Sequence, residues 1–126
     1  MVGSMNGYFE LVQDLNRYMY RGDSFWALLK RYSDDDEAVK DLAPSLVECM
    51  DDVSPSGSTL NRGRLPRGLM CYLFMIHLIY YEPGNEKGEI DFTWPGFILP
   101  DATPEQLRGA KKAWQEVVSQ RRYTIL

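Results

Sequence analysis

An uncharged run of fourteen residues, GLMCYLFMIHLIYY from Gly68 to Tyr81, constrains this chain more than any other feature. It lies between Arg67 and Glu82 and is apolar on every side, so it has no face to give to solvent. The rest of the chain must wrap it. As a helix rising about 1.5 Å per residue it reaches about 21 Å, short of the roughly 30 Å hydrocarbon core of a bilayer. The expectation is a buried central helix over about residues 66–81, opened by Pro66, and not a membrane span.

The other segments read as covers for that helix. Tyr8, Leu11, Val12, Leu15, Tyr18 and Met19 recur at helical spacing, and Gly22 suits a C-terminal cap. Asp23 or Ser24 can cap a short second helix from Phe25 to Tyr32. A third helical region runs from about Asp36 to Val53, with Val39, Leu42, Leu46, Met50 and Val53 on one side. Pro44 lacks an N–H and clashes with the preceding turn, so it is expected to kink this region or split it into two helices. Ser54 to Gly63 is a polar loop by composition. Residues 82–103 hold three prolines and three glycines among large apolar residues, which predicts an ordered loop over the core with a short strand near 89–93. The last helix is the best signalled. Thr103 caps it, Pro104 takes the first position and Gln106 completes a capping box, ahead of the stripe Leu107, Ala110, Trp114, Val117 and Val118. Tyr123, Ile125 and Leu126 are expected to tuck back. The predicted fold is therefore mainly α: a compact single-domain bundle of five or six helices.

With 126 residues, one domain accounts for the chain, and it buries roughly two thirds of its unfolded surface without metals or disulfides. Met1 to Ser4, ahead of Met5, read as a cloning remnant, leaving 5–126 as the domain. A net charge of −4 argues against general nucleic-acid binding and against an anionic membrane surface. No basic region followed by an apolar stretch opens the chain, so the expected location is the cytoplasm. Cys49 and Cys71 both sit in apolar segments and are expected as reduced core thiols, because no dense cysteine framework supports a disulfide.

Catalytic chemistry has little to work with. The single histidine, His77, is six residues from Cys71, about 240° around a helix, so the two share no face. It reads as a core or half-buried residue bonded to a carbonyl or a tyrosine. No Gly-rich phosphate loop and no nucleophile elbow is present. No metal or cofactor is expected: Asp52, Ser54, Ser56 and Gly57 resemble the start of a calcium loop, but its twelfth position is Gly63 where a bidentate Glu is needed.

Charge layout is the stronger signal. Asp34, Asp35, Asp36, Glu37, Asp41, Glu48, Asp51 and Asp52 stand against Lys40 alone, eight acids to one base and a local net charge of −7. On a continuous helix Glu37, Asp41, Glu48 and Asp52 align in one stripe opposite the apolar one. Such a stripe steers a basic partner and speeds encounter. Arg62, Arg64 and Arg67 cluster before the central helix, as an anion site on its free N–H groups or as internal partners of the acids, the latter being favoured. Arg108, Lys112, Gln115, Ser119 and Arg122, with Lys111 beside them, form a polar stripe on the last helix that reads as a solvated face. Phe92, Trp94 and Phe97 are either interface anchors or a cover for the central helix.

These features together predict a non-catalytic protein-binding module. The expected kind is an acidic immunity or antitoxin protein that neutralises a basic, nuclease-like partner through the eight acids. The alternatives are a small-ligand or anion-binding domain, or minor enzyme, built on Arg62, Arg64 and Arg67, and a helical subunit of a larger assembly.

Overall fold

The computed structural model describes Lys30, Tyr32 and residues 34–60 and 63–126, the side chains of 56–60, 63 and 64 excepted. The helices expected over 8–22 and 25–32 lie outside the described residues, save that Lys30 and Tyr32 are helical. In chain order the elements are α1 (Asp36–Glu48), β1 (Pro55–Leu60), β2 (Gly63–Pro66), α2 (Arg67–Ile76), β3 (Ile79–Tyr80), α3 (Pro104–Ser119) and β4 (Thr124–Ile125). Among the described residues, three helices and two small antiparallel sheets, β1–β2 and β3–β4, stand where a bundle of five or six helices is expected from the sequence.

α1 opens on Asp35, whose Oδ1 accepts from the backbone N–H of Glu37 at 3.0 Å and of Ala38 at 3.3 Å. Asp36 and Glu37 in its first turn suit the positive end of the helix dipole. Contrary to expectation, the helix runs through Pro44 in one piece. Pro44 is exposed, while Val39, Leu42, Ala43, Leu46 and Val47 are buried on both sides of it. An interior proline costs about 3 kcal/mol. Burying one large aliphatic side chain returns about 1.5–3 kcal/mol, so the apolar face outweighs the loss. α1 then ends at Glu48 instead of reaching Val53, which is exposed.

The central apolar run is helical only to Ile76. His77 and Leu78 turn the chain, and Ile79–Tyr80 pair with Thr124–Ile125. Leu126 N–H donates to Leu78 O at 2.9 Å. A partner far along the chain takes the last residues of the run out of the helix, and Ile and Tyr suit a strand. The tail thus tucks back through Ile125 and half-buried Tyr123, while Leu126 stays exposed. His77 caps α2 at the surface, its Nδ1 2.7 Å from Leu73 O.

Residues 54–63, expected to be a loop, contribute β1 and the start of β2, with Thr59 opposite Arg64 and Leu60 opposite Gly63. Between 82 and 103 the expected strand reduces to one bridge, Gly84 to Ile90. Asn85 Oδ1 accepts from Lys87 N–H at 2.9 Å and Glu89 N–H at 3.0 Å, closing this turn with Gly88 at φ +78°.

Two contacts lock α1 to α2. Cys49 and Cys71 are both buried and joined by a disulfide, with Cα atoms 6.2 Å apart. This corrects the expectation of two free thiols: spacing along the chain did not show that the C-cap of α1 meets the middle of α2. One turn earlier, Gly68 N–H donates to Asp52 O at 2.8 Å. A Cβ on Gly68 would lie 2.0 Å from Met50 O, so only glycine permits this approach.

α3 carries the capping box foreseen from sequence, with Gln106 N–H on Thr103 Oγ1 at 3.1 Å and Thr103 N–H on Gln106 Oε1 at 2.8 Å. Leu107, Ala110, Trp114 and Val117 are its buried face.

Candidate functional site

The eight acids separate into distinct roles. Asp35 is spent as the cap of α1. Glu37 pairs with Lys40 at 3.3 Å. Lys111 of α3, its side chain largely buried, sits 3.7 Å from Glu48 and 3.2 Å from Asp51. Asp52 accepts from Ser54 N–H at 2.9 Å and from the Ser54 hydroxyl. Asp34, Asp36 and Asp41 remain exposed, with no ion pair or side-chain hydrogen bond among the described residues. Among the described residues, the basic partners of these acids are Lys40 and, 60 positions along the chain from Asp51, Lys111.

Because α1 is unbroken, Glu37, Asp41 and Glu48 lie along one line of it, Pro44 between them. Asp52 lies beyond the helix end and leaves that line. The line forms one wall of an open groove of about 1010 Å³ between α1 and α3. The facing wall holds Lys112, Gln115 and Ser119 of the stripe read from sequence as a solvated face, with Glu116 among them and Arg121 after them, and Lys40 stands among the acids of the α1 wall. Val118 and Tyr123, both half-buried, lie between the walls.

The arginine cluster presents a different picture. The side chains of Arg62 and Arg64 lie outside the described residues. Arg67 opens α2 and makes no ion pair among the described residues, and its Nε is buried without a hydrogen-bond partner. The first two N–H groups of α2 are already used, Arg67 N–H on Ser54 O at 2.9 Å and Gly68 N–H on Asp52 O. Burial pushes the Tyr72 phenol above its ordinary pKa, partly offset by a hydrogen bond with the Ile98 backbone. His77 lies ten positions from Arg67, about 15 Å along a helix.

In the aromatic loop Trp94 packs inward, whereas Phe92 and Phe97 face outward. Trp94 packs on Trp114 at 4.9 Å and on Tyr81 at 5.0 Å between ring centres. Trp114 Nε1 donates to Gly96 O at 2.9 Å. Phe92 is 77 % exposed and Leu99 69 %, with Phe97 partly exposed beside them. These outward side chains border a smaller cavity of about 280 Å³.

Among the described residues, no three His, Cys, Asp or Glu side chains gather as a metal site would need, and no helix is long and apolar enough to cross a membrane. Set against known protein families, curated proteins and solved structures, the chain matches none.

Proposed function

We propose that this chain is a non-catalytic binding domain that captures a basic protein partner on the exposed side of α1. The narrower reading is an immunity or antitoxin protein whose partner is a nuclease, since nucleases carry positive clefts for phosphate. One observation carries it: Asp34, Asp36 and Asp41 are exposed and unpaired among the described residues while five neighbouring acids are already engaged. Unrelieved like charge on α1 and just before it raises the local potential and speeds encounter with a cation-rich surface. Cytoplasmic residence fits a partner neutralised where it is made, whereas the Cys49–Cys71 disulfide favours an oxidising compartment, and we give the disulfide the greater weight.

The test is the triple reversal Asp34→Lys, Asp36→Lys, Asp41→Lys, which leaves the cap and the Lys111 pairs untouched. In a pull-down from source-cell extract, the native chain is expected to retain one dominant basic protein that salt elutes, and the triple variant to lose it. A partner held equally by the folded triple variant, or no partner at either salt, overturns the proposal.

A further inference from the structure

We propose that the outward side of the loop from Phe92 to Leu99 docks a protein segment whose apolar anchor is flanked by lysines or arginines. This surface uses no residue of α1. Between Ile90 and Leu99 four large apolar side chains meet solvent: Phe92 at 77 % exposed, Leu99 at 69 %, Ile90 at 41 % and Phe97 at 37 %. The backbone beneath them is tied down. Trp94 N–H donates to Asp91 O at 3.2 Å, Phe97 N–H to Trp94 O at 3.0 Å and Ala102 N–H to Leu99 O at 2.9 Å. Trp94 itself is held against Trp114 and Tyr81. Large apolar side chains standing out from an ordered loop lose little entropy on binding, and grouped in this way they mark an interface. The rings of Phe92 and Phe97, 6.2 Å apart, border the cavity of about 280 Å³ together with Leu99. That volume falls just below the roughly 300–1,000 Å³ of small-molecule sites and suits one anchoring side chain.

Charge decides what flanks the anchor. Among the described residues that line the cavity only Asp101 is charged, and it is exposed and in no ion pair among the described residues. Along the chain, residues 82–105 hold Glu82, Glu86, Glu89, Asp91, Asp101 and Glu105 against Lys87 alone, six acids to one base and a net charge of −5. Arg108, the next base, stands one helical turn before Lys112 and so on the side of α3 that faces the α1 groove. This rim repels an anchor carried between acids and holds one carried between cations.

Three labelled synthetic peptides test this on the full chain: a leucine–phenylalanine pair flanked by lysines, the same pair flanked by glutamates, and oligolysine. Fluorescence anisotropy at about 0.15 M salt, where charges act over about 8 Å, is expected to rank the lysine-flanked anchor first, by about tenfold in Kd. Phe92→Ser with Leu99→Ser, both at exposed positions, is expected to weaken that peptide about tenfold while oligolysine binding and the melting temperature stay unchanged. Asp101→Lys keeps the aromatic side chains and is expected to bring the two flanked peptides to similar affinities. Oligolysine binding as tightly as the lysine-flanked anchor overturns the loop as a docking surface and leaves the acidic capture by α1 standing. Equal binding of the glutamate-flanked peptide to the native chain, or no binding by either flanked peptide, overturns it as well. Self-association of the native chain that the double serine variant abolishes assigns the surface to a second copy. A melting temperature lowered by several degrees in that variant assigns it to the chain's own packing, and either result overturns the proposal.

Discussion

The α1–α2 seam and the segment from 82 to 103 both cover apolar surface, by opposite means. At the seam, a disulfide, a backbone approach that excludes even a methyl group, and side chains a few per cent exposed or less leave no slack. The 82–103 segment is held by short-range turn bonds, and reaches inward mainly through Trp94 and Ile98 while Phe92 and Leu99 point out. Close packing concentrates consequence in a few backbone positions, whereas a draped loop spreads it thinly and frees side chains for other contacts.

Substitutions can break this contrast. The largest effect is expected at Gly68: with a Cβ 2.0 Å from Met50 O and the backbone pinned on both sides, Gly68→Ala should cost about 4 kcal/mol or leave the chain unfolded, read by urea denaturation. The seam's covalent link comes next. Replacing Cys49 and Cys71 by alanine together opens a loop with a sequence separation of 22 and should remove about 3 kcal/mol. In the loop, Gly96→Ala meets a movable ring instead of backbone, its Cβ 2.2 Å from Trp94, and should cost about 2 kcal/mol with a change in tryptophan fluorescence. A result at Gly96 larger than at Gly68 would invert the comparison. The smallest effect is at Asp91, whose carboxyl the Thr93 hydroxyl, and then the Thr93 N–H, hold below the usual carboxylate range. A depressed folded pKa contributes stability above the unfolded value of about 4, lost as pH falls through the folded one. Thr93→Val should raise the Asp91 titration midpoint seen by NMR and lower the melting temperature slightly at neutral pH, the difference from the native chain closing at acid pH.

What could be read from residues alone follows the range of the forces involved. α3 was legible to its cap, because Thr103, Pro104 and Gln106 act within one turn. The capping role of Asp35 is equally local, yet it was masked by counting the residue among eight like charges. α1 through Pro44 and α2 ending at Ile76 were misread, since each is decided by distant partners: a buried face in one case, the strand Thr124–Ile125 in the other. The hairpin from 55 to 66 pairs through backbone groups, which residue composition does not display. At the groove, the acids of α1 are visible as sequence, but nothing in a periodicity says that they face Lys112, Gln115 and Glu116 of α3. Lys111 had the same history. Its two carboxylates, Glu48 and Asp51, belong to the end of α1 and the turn after it, Asp51 being 60 positions earlier in the chain.

The Cys49–Cys71 bond also partitions the molecule in time. It ties α1, the hairpin and α2 into one looped segment, whereas α3 joins them through side chains alone. Openings that expose amides of α3 can then proceed while α1 and α2 remain tethered, which makes α3 and the loop before it the first unit to exchange hydrogen with solvent.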